Sequence, residues 1–246
     1  MILSYCGATE KGGRGNNEDA YIILKHKYLY LFAVADGLGG QAAGELASNI
    51  AVTILSETVK KAIENLSLES MKQLLASGFM EANEEVCRQA KVVPERLGMG
   101  TTLVAALLNE EGRGIIANVG DSRAYMIGND IKRITKDHSY VQELVNRGVI
   151  TQEEAAVHPE KNIVIKMIGM EGVEPDFYEV ELGENTLLLC SDGLTDALRD
   201  KTVREVIISS KIENICKNLV DAAKPKSRDN ITIIAVKREY GTTFSQ

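Results

Sequence analysis

An α+β fold is predicted by three observations. Strand-like apolar runs are plentiful, and several are joined by connections as short as "KHK" and "NEEGR". Such links permit antiparallel hairpins but leave no room for the crossover a parallel pair requires. Two long helical patterns stand next to each other instead of alternating with strands, which favours α+β layering over a doubly wound parallel sheet. The 246 residues allow one large domain or two small ones. No proline-rich linker, repeat or low-complexity stretch divides them, so a single domain is expected over 1–240, with a polar tail at 241–246.

Strands are expected at 20–24, 28–35, 102–108, 114–119, 123–127, 186–190 and 231–236, each a short run rich in β-branched, aromatic or leucine side chains. The first long helix is marked by Ala43, Ala47, Ile50 and Ile54, spaced four, three and four. The second is marked by Met71, Leu74, Leu75, Phe79, Ala82, Val86 and Ala90. Shorter helices are expected at 140–146, 202–208 and 212–222. Pro94, Pro159, Pro175 and Pro225 all sit in polar surroundings that read as loops.

A net charge of -7 argues against nucleic acid or an anionic membrane as partner. No apolar run approaches the ~18 residues of a membrane span, and "MILSYCGATEKGG" does not read as a secretion signal. Cys6, Cys87, Cys190 and Cys216 form no C-x-x-C pair; Cys87 and Cys190 lie in apolar contexts and read as small buried hydrophobes. A reducing, cytoplasmic setting is the expectation.

The chemistry is carried by acids. "LYLFAVADGLGG" ends an apolar strand on Asp36, and "TLLLCSDG" does the same with Asp192. "GIIANVGDSRAY" places Asp121 between two strands, "SRDNITIIAV" puts Asp229 ahead of one, and "RGNNEDAYIIL" sets Glu18 and Asp19 ahead of another. Each alone reads as a turn or a solvated cap, since Asp-Gly is a favoured turn pair. Jointly they read differently. Were three of these strand ends to converge, each pair of carboxylates at ~4 Å would repel by about 4 kcal/mol at an effective dielectric near ~20. Protonation or bound divalent cations relieve that cost, and hard oxygen donors without His or Cys suit Mg²⁺ or Mn²⁺. Gly37, lacking a Cβ, leaves its carbonyl open to close approach. Arg14, in the glycine-rich "GGRGNNED", reads alone as a surface arginine; beside cations it offers a planar grip on phosphate.

In order and spacing, "RGNNEDA", "VADGLGGQAAGELAS", "GMGTTLVAAL", "ANVGDSRAY", "ITKDHS", "LLLCSDGLTD" and "SRDNITIIAV" resemble the motifs of the metal-dependent type 2C serine/threonine protein phosphatases, in their compact bacterial branch. The likeness runs from about Thr9 to Val236. It implies a four-layer α-β-β-α sandwich of two antiparallel sheets flanked by helices, with two or three divalent cations, Mn²⁺ or Mg²⁺, at one end. Asp36 would bridge two ions, with Asp192 and Asp229 completing the first. The Gly37 carbonyl and, through water, Glu18 would serve the second. Asp121, sharing Asp192, matches a third position. Arg14 matches the arginine that holds the substrate phosphate, and Asp19 and Asn230 match residues that orient loops and ligands.

The implied reaction is hydrolysis of phosphoserine and phosphothreonine in proteins by a water acidified between two cations ~3.5–4 Å apart. Phosphorylated proteins, a serine/threonine kinase among them, are the implied partners of a monomeric enzyme. Cys190 is read as a buried strand residue, not a nucleophile. Animal members commonly carry His where this chain has Leu38, which leaves the proton donor to the leaving alkoxide open. Metal-bound water comes first, and His138 or His158, read as solvated loop residues, come after. Residues 137–172 resemble the family's variable flap beside the site. Two other readings are a phosphatase restricted to anti-sigma-factor antagonists and a pseudophosphatase that binds phosphoproteins without turnover. The first usually comes with sensory domains; the second would have lost a metal-binding acid.

Overall fold

The computed structural model describes residues 2–39, 41–62 and 66–239. Eleven strands are found among them: β1 (Ile2–Glu10), β2 (Asp19–His26), β3 (Leu29–Leu38), β4 (Gly100–Thr101), β5 (Leu103–Asn109), β6 (Arg113–Val119), β7 (Arg123–Ile127), β8 (Ile131–Arg133), β9 (Asp176–Glu181), β10 (Thr186–Cys190) and β11 (Ile231–Glu239). The α-helices are α1 (Gln41–Lys60), α2 (Leu68–Val92), α3 (Tyr140–Asn146), α4 (Gln152–Val157), α5 (Asp192–Thr195), α6 (Asp200–Ser209) and α7 (Ile212–Ala223).

All strand pairings are antiparallel. One sheet has the order β1-β11-β10-β7-β8, the other β2-β3-β5-β6-β9, with β4 attached to β3. Strand β3 shows why the sheets stack. Leu29, Leu31, Ala33 and Ala35 point to one face and pack under α1 and α2. Tyr30, Phe32 and Val34 point to the other and meet Leu187, Leu189, Ile234 and Val236 of the second sheet. A strand dry on both faces must be a continuous apolar run, and that is how this stretch reads. Beyond the second sheet, Leu188, Cys190, Ile231 and Ile233 pack under Ile212, Ile215 and Leu219 of α7. The result is four layers: helices, sheet, sheet, helices.

The helices follow their periodicity. Met71, Leu75, Phe79, Ala82 and Val86 form the buried stripe of α2, and Ser67 caps its start by accepting the Ser70 N–H at 3.1 Å. Fully burying a side chain the size of Phe79 contributes about 2–3 kcal/mol. The facing stripe of α1 is mostly small, with Ala43, Ala47 and Ala51 buried, so the helix lies close to the sheet.

Several boundaries differ from expectation. The expected strands are all present, but β1, β4, β8 and β9 were not anticipated. Asp36 and Gly37 do not end β3; β4 extends the ladder past them, Gly37 pairing with Thr101. Asp192 opens a helical turn, α5, instead of standing in irregular chain. Cys190 is fully buried as expected, whereas Cys87 is only half-buried. The other two cysteines, for which no pairing was expected, come together. Cys6 on β1 and Cys216 on α7 form a disulfide, Cα atoms 6.0 Å apart and 210 positions separated in sequence. The tail at 241–246 lies outside the described residues.

Between β8 and β9 the chain carries α3 and α4, capped by Ser139 and by a Thr151–Glu154 capping box. The segment closes on itself: Tyr140 N–H donates to the Ile163 carbonyl and Ile165 N–H to the His138 carbonyl.

Candidate active site

The acids meet at one end of the two sheets. Asp19 and Asp36 face each other across the β2–β3 ladder. The Asp36 backbone is held on both sides: its N–H donates to Thr102 Oγ1 at 2.9 Å, and its carbonyl accepts from Thr102 N–H and Thr101 Oγ1. Thr102 Oγ1 also meets Ser122 Oγ at 2.6 Å, tying this strand to the turn that carries Asp121. From the other sheet, β10 delivers Asp192 and the entry to β11 delivers Asp229 and Asn230.

Asn230 fastens the glycine-rich loop. Its Nδ2 donates to the carbonyls of Lys11 and Asn16, and its Oδ1 accepts the Glu18 N–H at 2.8 Å. Gly12, at φ +56°, lies so close to Asp229 that a Cβ would overlap the Asp229 carbonyl oxygen. Gly37 has a packing reason as well: a Cβ there would overlap the carbonyl oxygens of Gly44 and Glu18. Asp19 is anchored behind the site, its Oδ2 accepting from Ser191 Oγ at 2.8 Å, and Ser191 Oγ in turn accepts the Thr232 N–H.

Arg14, Glu18, Asp36, Gly37, Asp121, Asp192, Asp229 and Asn230 all line one cavity of about 220 Å³. Leu38 and Gly39 form part of its wall, as do Asn162 and Val164, neither of which stands out in the sequence. A neighbouring cavity of about 450 Å³ shares Asp121 and Asp192 and extends beneath α3 and α4. Its polar wall includes Arg123, which holds Asp137 through Nε at 3.0 Å and Nη2 at 2.7 Å.

Crowding of the carboxyls is visible in their proton affinities. Asp36 is pushed well above the ordinary carboxylate range, by burial first and then by Asp19, Asp192, Asp121 and Asp229. Burial, reinforced by Asp192, lifts Asp121 to about 8. Burial also lifts Asp19 to about 7, against hydrogen bonds from Thr232 and Ser191, and lifts Asp192 to about 6, with Asp229 adding to the effect. Glu18 rises mainly through desolvation.

These donors fit divalent cations. They are hard oxygens, and the buried Asp19 Oδ1 and Asp192 Oδ1 have no hydrogen-bond partner. The ligand set is not closed, however: among the described residues no three His, Cys, Asp or Glu side chains form a ready-made metal group. One reason is Asp229, which the sequence reading assigned to an ion. Its carboxylate is gripped by Arg14, assigned there to phosphate, through Nε at 2.9 Å and Nη2 at 2.7 Å.

Neither candidate histidine lines the cavity. His138 is not solvated: it is mostly buried, its Nδ1 accepts the Gly120 N–H, and its Nε2 lies 3.2 Å from Asp176 Oδ2. Burial lowers its pKa, so the neutral ring, with its proton on Nε2, straps the Asp121 turn in place. His158 Nδ1 accepts the Glu160 N–H within its own turn.

Two antiparallel sheets between helix pairs, with carboxylates from both sheets meeting at one end, are the arrangement expected of a metal-dependent phosphatase. Comparison with known proteins agrees. A sequence profile of protein phosphatase 2C matches residues 6–229. The serine/threonine phosphatase stp of Listeria innocua is 39% identical over 237 residues, covering 94% of each chain. The crystal structure of serine/threonine phosphatase Stp1 from Staphylococcus aureus superposes with a TM-score of 0.91 at 36% identity, covering 98% of this chain and 96% of that one. The catalytic domain of the serine/threonine protein phosphatase PstP, solved in complex with 2 manganese ions, gives 0.82 at 31% identity, covering 96% and 98%. This chain belongs to the protein phosphatase 2C family.

Proposed function

We propose that this chain hydrolyses phosphoserine and phosphothreonine in proteins, with Asp36 shared between two divalent ions, Mn²⁺ or Mg²⁺, and Asp121 contributing to a third. The observation that carries the reading is the convergence of Asp36, Asp192, Asp121, Asp229, Glu18 and Arg14 on one cavity, together with membership of a metal-dependent phosphatase family. Asp192 and Asp229 would complete the first ion's protein ligands, and the Gly37 carbonyl and Glu18 would serve the second. Bound ions would supply an acidified water and neutralise charge on the phosphoryl oxygens.

The protein's own residues do the rest. Arg14 leaves Asp229 and takes two phosphoryl oxygens, which positions phosphorus and frees a carboxylate in one movement. Thr102 and Ser191 hold the backbone of Asp36 and the carboxylate of Asp19 against the pull of the cations. Asn230 keeps the Arg14 loop against β11. With no histidine on the cavity wall, the proton for the departing serine or threonine oxygen comes from water.

Residues 137–172 act as the flap that meets the substrate protein. The enzyme is proposed to work as a monomer in the cytoplasm, where an ATP-dependent serine/threonine kinase makes its substrates. No helix among the described residues is long and apolar enough to cross a membrane. The non-catalytic reading is not favoured, because every acid it would have lost is present; nor is the restriction to anti-sigma-factor antagonists.

The test is phosphate release from a phosphothreonine peptide with Mn²⁺ or Mg²⁺. Asp36→Asn and Asp192→Asn should each lower kcat by about a thousandfold or more, and excess chelator should stop turnover. Equal turnover with and without chelator rules out the metal mechanism.

A further inference from the structure

The segment entering the cavity wall at Asn162 and Val164 meets the chain just ahead of α3 in a minimal two-stranded ribbon, a single isolated bridge long. Ser139 and Val164 face each other in an antiparallel bridge, and the hydrogen bonds flank that pair: Tyr140 N–H to Ile163 C=O at 2.8 Å and Ile165 N–H to His138 C=O at 2.9 Å. In such a non-hydrogen-bonded pair, the peptide groups of the facing residues point away from each other. The Val164 N–H and C=O therefore turn outward from the ribbon, and neither is hydrogen-bonded to any described residue. This open edge lies on the wall of the cavity that holds Asp36 and Asp192.

The ribbon's side chains add a second, independent feature. Ile163 and Ile165 flank Val164, Tyr140 at the start of α3 meets Ile163 through its N–H, and the three side chains are 46%, 44% and 38% exposed. Three large apolar side chains beside the unpaired N–H and C=O of Val164 are what a bound extended chain needs: backbone partners on one side and surfaces for alternate side chains on the other.

We propose that the polypeptide flanking the phosphorylated residue of the substrate binds here as a third strand. Its backbone pairs with Val164, and an apolar side chain two residues along rests on Ile163 and Ile165. The occupant is a phosphoprotein segment because the edge is continuous with the cavity that takes the phosphate, a reading that rests on the phosphatase function proposed above. The ribbon selects substrates whose phosphosite lies in extended, unfolded chain.

The test needs no change to the catalytic residues. A set of phosphothreonine peptides, each with one backbone amide near the phosphoresidue replaced by an ester, is compared with the all-amide parent. Strand addition at Val164 predicts that kcat/KM falls about two- to tenfold when the ester removes the N–H facing the Val164 carbonyl, with little change two or more residues away, as expected for a single backbone hydrogen bond. Ile163→Ser combined with Ile165→Ser should raise KM for the parent peptide about fivefold while leaving turnover of para-nitrophenyl phosphate unaltered. A flat or uniform ester profile, or a double variant with unchanged peptide KM, overturns strand addition while the phosphatase reading stands. Failure to turn over either the peptide or the aryl phosphate overturns both.

Discussion

Arg14 grips Asp229 with both ends of its guanidinium, Nε to Oδ1 at 2.9 Å and Nη2 to Oδ2 at 2.7 Å. The proposed mechanism asks each residue for a different partner, phosphate for Arg14 and a cation for Asp229. The pair therefore sits in competition with both ligands. The arginine side chain is 60% exposed and the aspartate 32%, so solvent limits the pair to about 1 kcal/mol or less.

Removing Arg14 should accordingly have two opposite effects. Arg14→Ala should bind the first Mn²⁺ up to about fivefold more tightly by calorimetry, because Asp229 is released. The same variant should raise KM for a phosphopeptide more than it lowers kcat. Unchanged ion affinity would show that the pair does not hold the metal site back.

The raised carboxyls predict how stability depends on pH. Asp192, Asp19 and Asp121 titrate near 6, 7 and 8 in the folded chain, against about 3.9 when unfolded. Folded protein therefore holds more protons than unfolded protein between pH ~4 and ~8. Stability declines as pH rises through that window, by at most ~1.4 kcal/mol per pH unit for each group. His138, with its lowered pKa, acts in the opposite sense but is one group against several. In chelator, the midpoint of thermal unfolding should be higher at pH 5 than at pH 8, and excess Mn²⁺ should raise it far more at pH 8. A chelated protein more stable at pH 8 would contradict the crowding of the acids.

Asp137 is 8% exposed and takes hydrogen bonds from Arg123 and Arg133. Asp137→Ala leaves the half-buried Arg123 without its bidentate partner and should cost about 1–3 kcal/mol, lowering Tm by roughly 5 °C in a chain of this size. Adding Arg123→Met to Asp137→Ala should restore part of that loss. An Asp137→Ala protein melting with the parent would mean that water already screens the pair.

A Cβ at Gly193 would overlap the carbonyl oxygen of Asn230. Gly193→Ala should therefore push α5 away from the entry to β11, costing about 1–3 kcal/mol and moving Asp192 relative to Asp229. Activity should fall further than stability alone explains, a comparison made by assaying well below the melting range.

Much of this was legible because acids at the ends of apolar strands are expensive to keep. Asp36, Asp121, Asp192 and Asp229 stood out for that reason, and all four line the cavity. The layering was legible in β3, whose unbroken apolar run implies burial on both faces. What escaped was of three kinds. "ILSYCGATE" hides β1 because Gly7 and the polar residues at Ser4 and Thr9 break its pattern, and "DFYEVE" hides β9 because an edge strand is half polar. Asn162 and Val164 are ordinary residues brought to the site by a chain reversal far along the sequence. The Arg14–Asp229 and Cys6–Cys216 pairs, separated by 215 and 210 positions, leave no local trace at all.

Asp19 and Asp36 belong to one sheet, whereas Asp192 and Asp229 are carried by the ends of strands in the other. The reactive centre is thus a seam between two leaves, and neither leaf owns it. No excised half of this polypeptide can serve as a minimal catalyst. Two separately made fragments, one ending before β7 and one starting there, would fall silent apart and regain function only by docking face to face and restoring the β1–β11 and β6–β9 ladders.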